Sequence, residues 1–204
     1  MITLINYGSG NIKAITNIFH NLNMELQVAQ DAEELKGATK LILPGVDSFD
    51  NAMVKLNRSG MRECLDEMVL GRRVPIIGIC VGMQILGNSS DEGDMLGLGY
   101  IDGTVKRFDI NSIPYSVKVP HMGWNSISYY NNASLFRNIS QNSYFYFLHS
   151  YYFECNDKNN VMAWTRYGID FASAIWGNNI FGVQFHPEKS HENGLKLFSN
   201  FAGL

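Results

Sequence analysis

The sequence predicts an α/β protein in which a parallel sheet flanked by helices is followed by a β-rich extension. Over about the first 100 residues, short apolar runs of strand length alternate with segments whose apolar residues recur at helical spacing. Beyond that point, short β-rich segments are separated by polar turns. Alternating strands and helices indicate parallel strands joined by right-handed crossovers. We expect a single domain over residues 1–204.

Apolar runs and turn residues mark the elements of the first half. Residues 2–6 form an apolar strand, and Ile15 and Phe19 belong to the apolar stripe of the helix that follows. Pro44 and Gly45 close the next strand, because proline cannot donate to a sheet ladder. Predicted strands cover residues 2–6, 41–43 and 74–79, and predicted helices cover residues 11–22, residues 59–70 and the segment directly after Cys80.

The second half contains shorter segments that are rich in aromatic and β-branched residues. We expect these to form an antiparallel or mixed extension of the parallel sheet. A last apolar-periodic segment, residues 194–201, predicts a closing helix. Predicted strands of this half cover residues 101–108, 115–119, 126–130, 145–153, 161–166, 172–176 and 180–185.

Composition narrows the classes of function. The net charge is −3 and there is no basic block, which argues against nucleic-acid binding and a polybasic membrane site. The N-terminal segment lacks the charged flank of a signal peptide, and no run approaches the ~20 apolar residues of a membrane span. The cysteines Cys64, Cys80 and Cys155 are widely spaced. Their odd number favours a reducing cytoplasm over a disulfide framework or a zinc site.

Residues 78–82 read Gly-Ile-Cys-Val-Gly and directly follow an apolar run. A strand that turns sharply into a helix at such a motif presents one side chain at the apex of the turn, as in the serine elbow of α/β hydrolases. The flanking glycines leave room for the turn, and a helix starting after Cys80 would favour its thiolate. The alternative is a buried structural cysteine.

A second motif, His186-Pro187-Glu188, follows the strand-like segment at residues 180–185. Proline ends the strand, so His186 lies where α/β folds place their chemistry. A nucleophilic cysteine needs a base, and the base needs an orienting group. His186 and Glu188 fit these roles, since residues two apart share a side of an extended segment. A structural histidine is the alternative reading.

Together these motifs resemble those of class I glutamine amidotransferases, and within that class the glutaminase subunits of imidazole glycerol phosphate synthase. The resemblance covers essentially the whole chain. Its marks are Gly78–Gln84 and His186–Ser190, with residues 6–11 (Asn-Tyr-Gly-Ser-Gly-Asn), 43–46 (Leu-Pro-Gly-Val), 97–99 (Gly-Leu-Gly), 119–125 (Val-Pro-His-Met-Gly-Trp-Asn) and 147–152 (Phe-Leu-His-Ser-Tyr-Tyr).

The resemblance implies a flavodoxin-like fold and glutamine hydrolysis by Cys80, His186 and Glu188, without a metal or cofactor. By position, the N–H groups of Val46 and Val81 would form the oxyanion hole. The substrate glutamine would contact Gly45, Gln84, Glu92, His149, Ser150 and Tyr151.

The resemblance also implies a partner, a (βα)₈-barrel cyclase subunit that receives ammonia and forms imidazole glycerol phosphate and aminoimidazole carboxamide ribonucleotide. Asn11 and Trp124 would contact it, and Tyr146 and Lys189 would line the ammonia exit, giving a heterodimer. A core position for Trp124 is the alternative. The pathway also stays open, because paralogous subunits feed ammonia to amidination of a nucleotide-sugar for surface polysaccharide.

One position departs from the family pattern. The fourth residue of the oxyanion loop is usually glycine, and here it is Asp47. Glycine would let the peptide rotate easily, whereas aspartate tolerates unusual backbone angles less freely. We therefore expect very low glutaminase activity without the partner.

Three other functions are alternatives to glutamine hydrolysis. The glycine-rich turn at residues 7–11 could cradle a phosphate, but Lys13 stands where the dinucleotide fingerprint needs a third glycine. Cysteine peptidases and hydrolases share the elbow cysteine and a histidine, but not the His-Pro-Glu arrangement. A silent regulatory subunit would show damage at Cys80, His186 or Glu188, and all three are intact.

Overall fold

The computed structural model describes residues 1–109, 118–130 and 133–204. Strands in these ranges are β1 (Ile2–Ile5), β2 (Leu26–Ala29), β3 (Lys40–Leu43), β4 (Ile76–Ile79), β5 (Ser89–Ser90), β6 (Gly103–Arg107), β7 (His121–Ser126), β8 (Ser128–Tyr129), β9 (Tyr144–His149), β10 (Tyr151–Cys155), β11 (Val161–Tyr167), β12 (Ile169–Gly177) and β13 (Ile180–Val183). Helices are α1 (Ile12–Asn21), α2 (Ala32–Leu35), α3 (Phe49–Arg58), α4 (Arg62–Asp66), α5 (Val81–Gln84) and α6 (His191–Ala202).

Five parallel strands form one half of the main sheet, in the order β2-β1-β3-β4-β13. This is the flavodoxin-like order, with β13 in the fifth place, and it confirms the predicted fold class. Strand β4 lies between β3 and β13, and all four of its residues are buried. Near-continuous apolar strands of this kind are typical of a parallel sheet covered on both faces.

The other half of the main sheet is antiparallel apart from the short parallel pair β5–β6, as the prediction of an antiparallel or mixed extension allows. Strand β12 pairs with β13 and β10, and β6 continues the sheet beyond β10. Strands β7 and β9 form a separate two-stranded sheet. The predicted strand at 145–153 is therefore two strands in different sheets, broken at Ser150. Residues 115–117 of the predicted strand at 115–119 lie outside the described residues, and the strand predicted at 101–108 corresponds to β6.

Several elements differ from the sequence prediction. The sequence did not predict β2, α2 or α3; the first two have four residues each, too few for a clear period. Helix α3 does bury Phe49, Ala52, Met53 and Leu56 at helical spacing. The helix predicted at 59–70 begins at Arg62 and continues as a π-helical turn, Glu67–Gly71.

The closing helix agrees with its prediction, since α6 buries Gly194, Leu197, Phe198 and Phe201 along one face. Within the described ranges, no helix has both the length and the apolar character needed to cross a bilayer. The carboxyl ends of β4 and β13 lie side by side in register, with Ile79 opposite Val183. This edge of the sheet brings together the residues that follow the two strands.

Candidate active site

The turn after β4 holds Cys80 in a rare backbone conformation, with φ 55° and ψ −112°. Side chains other than glycine seldom adopt positive φ, and such strain is common at functional sites. The flanking glycines are required by space. A Cβ at Gly82 would lie 1.9 Å from the Leu43 carbonyl oxygen, and one at Gly78 would lie 2.5 Å from the Gly82 carbonyl oxygen. The predicted sharp elbow at Cys80 is confirmed.

The helix that follows Cys80 is shorter than the sequence prediction implied. Helix α5 has four residues, a single turn. The dipole of one turn is small, because the macrodipole sums aligned peptide units. The helix begins directly after Cys80 as predicted, and the expectation that its N-terminus favours the thiolate stays a prediction.

His186 and Glu188 meet Cys80 at the carboxyl end of β13. The His186 Nδ1 atom lies 2.8 Å from Glu188 Oε1, and both side chains are almost fully buried, at 4% and 2% exposure. Cys80 lies near enough to act on the His186 ring. Burial disfavours the charged ring, but the negative charge and hydrogen bonds of Cys80 and Glu188 outweigh it and raise the pKa of His186 to about 10.

A cavity of about 380 Å³ opens over Cys80 and His186. Its size suits a small-molecule substrate. Five of the six residues predicted to contact glutamine line it; Gly45 does not. Its walls are formed by Val46, Asp47, Val81, Gln84, Glu92, Pro120, Leu148, His149, Ser150, Tyr151 and Lys189. Across the ranges described, no group of three His, Cys, Asp or Glu side chains is arranged to hold a metal ion.

Two polar side chains of the cavity are held by backbone groups. Glu92 Oε2 accepts a hydrogen bond from the Phe49 N–H at the start of α3, across 2.8 Å. Gln84 Nε2 donates to the Tyr151 carbonyl oxygen across 3.2 Å. Each contact fixes a side chain while leaving an oxygen, Oε1 in both residues, able to bind substrate.

His149 is part of a buried chain of hydrogen bonds. Its Nδ1 lies 2.8 Å from the Tyr151 carbonyl oxygen, which can only accept, so this nitrogen carries the proton. His149 Nε2 then accepts from His121 Nδ1 across 2.9 Å. The Asn125 amide donates to His121 Nε2 across 3.2 Å. Burial lowers the pKa of His121 to about 4 and, aided by the charge of His121, that of His149 to about 3.

The two N–H groups predicted to form the oxyanion hole are engaged elsewhere in this conformation. The Val46 N–H donates to Ser9 Oγ across 3.2 Å. The Val81 N–H donates to the Gly45 carbonyl oxygen across 3.3 Å. Neither predicted donor is free in this conformation, and both contacts involve the peptide between Gly45 and Val46.

The Asp47 side chain is held in place by contacts with neighbouring residues. Lys55 Nζ donates to Asp47 Oδ2 and to the Gly8 carbonyl oxygen, each across 2.9 Å. Burial alone would raise the pKa of Asp47, but hydrogen bonds from Ser9 and Lys55 outweigh it and hold the pKa below its usual value. Ser9 therefore links Asp47 to the Val46 N–H.

The residues predicted at the partner interface lie at the cavity mouth and beyond it. The Trp124 ring, 46% exposed, packs edge-on against Tyr146 with centroids 6.1 Å apart. Lys189 Nζ lies 5.4 Å from the Tyr146 ring centroid. The exposure of Trp124 rules out the core alternative. Exposed Asn11 caps α1 by accepting from the Ala14 N–H across 3.2 Å.

Sequence reasoning assigned no role to four residues of this region. Ser9, Lys55 and His121 come from distant parts of the chain, so only the fold brings them to the cavity. Gln184 could have been predicted near the site from the sequence, because it lies two residues before His186 and shares its side of an extended segment.

Residues 3–203 of the chain match the protein family described as glutamine amidotransferase class-I. A protein of Leptospira borgpetersenii named imidazole glycerol phosphate synthase subunit HisH is 48% identical over 204 residues, with all of both chains covered. A protein of the same name from Bdellovibrio bacteriovorus is 48% identical over 206 residues, again with full coverage. One from Pseudomonas aeruginosa, named subunit HisH 2, is 42% identical over the full length of both chains.

Solved structures agree at the level of the fold. A glutamine amidotransferase crystal structure superposes with a TM-score of 0.75 at 18% identity, covering 100% of this chain and 99% of the other. The structure of PurLQS from Thermotoga maritima gives a TM-score of 0.74 at 19% identity, covering 99% and 97% of the two chains.

Proposed function

The chain belongs to the class I glutamine amidotransferase family, and we propose that Cys80, His186 and Glu188 carry out its glutamine hydrolysis. The ammonia feeds an imidazole glycerol phosphate synthase; the chain is 48% identical over its full length to subunits of that name. The observation that carries the residue assignment is the buried relay from Glu188 through His186 to Cys80.

In the proposed reaction, the Cys80 thiolate attacks the side-chain amide carbon of glutamine. His186, held by Glu188, protonates the leaving nitrogen, and ammonia departs from a γ-glutamyl thioester on Cys80. Water then loses its proton to His186 and attacks the thioester. The sulfur–carbon bond breaks, glutamate leaves, and the thiolate is restored.

The oxyanion of each tetrahedral intermediate needs N–H donors. Rotation of the Gly45–Val46 peptide would turn the Val46 N–H into the cavity and release the Val81 N–H from the Gly45 carbonyl oxygen. The Asp47–Lys55 ion pair opposes this movement, which supports the expectation of low activity without a partner. Partner binding would then supply the free energy for the rotation.

Substrate contacts follow from the charges of the cavity. Glu92 is the carboxylate suited to the glutamine α-ammonium, and Phe49 N–H fixes its orientation. The Gln84 Nε2 group is occupied by protein acceptors, so its Oε1 is the atom that can accept from substrate. Residues 149–151 also line the cavity, and their backbone groups can bind the other end of glutamine.

The outer face of the β7–β9 sheet is the proposed docking surface for the (βα)₈-barrel cyclase. Met122, Trp124 and Tyr144 are exposed on it at 63%, 46% and 58%. Met122 pairs with Leu148, which also lines the cavity, so the apolar face is continuous with the cavity mouth. Ammonia would pass between Tyr146 and Lys189 into the partner, and Asn11 would make a further contact. We expect this heterodimer in the cytoplasm, where the three cysteines remain free.

The nucleotide-sugar alternative is less favoured. The relatives compared above all carry the imidazole glycerol phosphate synthase name, and they align over their full lengths. Both pathways would use the same triad and the same substrate glutamine. The acceptor therefore has to be identified with the partner present.

Glutamate release from glutamine tests the proposal. It is measured with the chain alone, with the cyclase subunit of the same organism, and with that subunit plus its nucleotide ligand. Strong stimulation in the full mixture, absent in a Cys80→Ala variant, is expected. No stimulation by a cyclase that uses free ammonia would reject the histidine-pathway assignment, and turnover by the Cys80→Ala variant would reject the nucleophile.

A further inference from the structure

Gln184 is a buried polar residue beside the nucleophile. It follows β13, its exposure is 0%, and its Nε2 atom lies 3.7 Å from Cys80 Sγ. That separation is within hydrogen-bonding distance for sulfur. Burial of an amide is unfavourable unless its polar atoms are hydrogen-bonded. The partners of the Gln184 side chain therefore decide which of its atoms faces Cys80.

The direction of this hydrogen bond is set by a backbone carbonyl. The Tyr151 carbonyl oxygen can only accept, so the Gln84 atom that contacts it is the NH₂ group. The same Gln84 Nε2 lies 3.1 Å from Gln184 Oε1. Gln184 must therefore present its oxygen to Gln84 and its NH₂ group to Cys80.

We propose that Gln184 is a catalytic residue that donates an N–H hydrogen bond to the Cys80 thiolate. This inference rests on the proposed role of Cys80 as nucleophile. A thiolate can only accept hydrogen bonds. The Gln184 NH₂ group is a donor whose orientation is fixed by the hydrogen bond from Gln84 to Gln184 Oε1. The Leu148 carbonyl oxygen, 3.9 Å from Sγ, can bind only the neutral thiol, so the two neighbours favour opposite protonation states.

The donor acts whenever sulfur carries charge. It stabilises the thiolate before attack on glutamine. It acts again when water adds to the thioester, because the C–S bond then breaks and its electron pair returns to Sγ. Gln184 also connects the sulfur, through Gln84, to the wall at Tyr151 that lines the glutamine cavity.

Other titratable and charged groups face the sulfur and must be held constant in a test. His186 and Tyr7 lie close enough to interact with its charge. The remaining charged or titratable groups around the cavity are Asp47, Glu92, His149, Tyr151, Glu188 and Lys189. None of these changes in a Gln184 variant.

The test is the pH dependence of Cys80 alkylation by iodoacetamide in the full chain without glutamine. Mass spectrometry of the Cys80 peptide separates it from Cys64 and Cys155. Gln184→Met keeps the volume and removes the donor. We expect the midpoint of the pH profile to move up by about one pH unit, as for loss of a hydrogen bond to a charged group.

Ser173→Ala is the matched control. Ser173 is fully buried, and its carbonyl accepts from the Gln184 N–H, a backbone contact that the substitution leaves in place. Its alkylation profile should equal that of the wild type. A folded Gln184→Met variant with an unchanged midpoint would overturn the inference.

If Gln184→Met does not fold, Gln184→Asn serves instead, since it keeps an amide but shortens its reach by one methylene. It should shift the midpoint in the same direction, and a wild-type profile would again overturn the inference. Because alkylation needs neither glutamine nor cyclase, this result is separate from the outcome of the glutaminase assay.

Discussion

The Val81 N–H donates to the Gly45 carbonyl oxygen across 3.3 Å, so the oxyanion loop is bonded directly to the nucleophile elbow. Packing reinforces this contact, because a Cβ at Gly45 would lie 2.5 Å from the Gly82 nitrogen. The loop thus occupies one defined position, in which Val46 N–H is bonded to Ser9. Catalysis as proposed requires a second position, and the free energy between the two sets the activity of the chain alone.

Asp47→Asn should raise glutamine hydrolysis by the chain alone. The substitution removes the charge that pairs with Lys55 while keeping the size of the side chain. The pair is partly exposed, at 41% and 24%, so we expect a gain of about threefold to fivefold, corresponding to at most ~1 kcal/mol. The measurement is kcat for glutamate release without cyclase. Asp47→Gly should give an equal or larger gain, because it also frees the backbone.

The control for Asp47 is Asp91→Asn, which breaks an ion pair with Lys106 on another part of the surface. It should leave kcat unchanged. Unchanged activity in both Asp47 variants, with normal stimulation by the cyclase, would show that the ion pair does not restrain the loop.

Glu188→Gln should reduce glutaminase activity by roughly 10⁴-fold, as the comparable carboxylate-to-amide substitution does in the Ser-His-Asp triad. The Glu188 carboxylate accepts from His186 Nδ1 across 2.8 Å, which leaves Nε2 as the base. An amide can donate to Nδ1 and so stabilise the wrong tautomer. Steady-state kinetics with the cyclase complex measure the loss. An unchanged kcat in a folded variant would remove Glu188 from the triad.

Much of the fold could be predicted because parallel strands have a strong sequence signature. Strands β1, β3, β4 and β13 are nearly continuous apolar runs, and each was predicted within a few residues. Strand β2 was not predicted, because only one of its four residues is buried. The break at Ser150 was missed because β9 and β10 together form one unbroken β-rich run.

Part of the site could likewise be predicted from the sequence, and part of it could not. Cys80, His186 and Glu188 follow strand ends, where a short motif and the general rule for α/β sheets suffice to predict their meeting. The hydrogen bonds around the oxyanion loop join Val46 to Ser9 and Lys55 to Gly8, which are 37 and 47 residues apart. No local pattern predicts such contacts, and they determine the conformation of the loop.

Trp124→Ala should weaken binding of the cyclase at least tenfold without lowering the melting temperature much. A large aromatic side chain that is 46% exposed contributes little to folding but can anchor an interface. Trp176→Ala is a matched control, since Trp176 is 44% exposed and lies on β12 in the other sheet. Titration calorimetry gives the dissociation constants. Equal affinity of the two variants would place the docking surface elsewhere.

The buried pair His121 and His149 should make the fold sensitive to acid. Their folded pKa values, about 4 and 3, lie below the ordinary 6.5, so the unfolded chain binds more protons below pH 6.5. The stability that they contribute is complete above pH 6.5 and declines as pH falls toward those values. In His121→Gln, the stability lost in urea unfolding between about pH 7 and pH 5 should shrink by about 2 kcal/mol, since one titrating ring is absent. The control is His20→Gln, on the exposed surface of α1, which should lose as much stability between these pH values as the wild type. If His121→Gln also lost as much stability as the wild type, burial would not be keeping the His121 ring neutral.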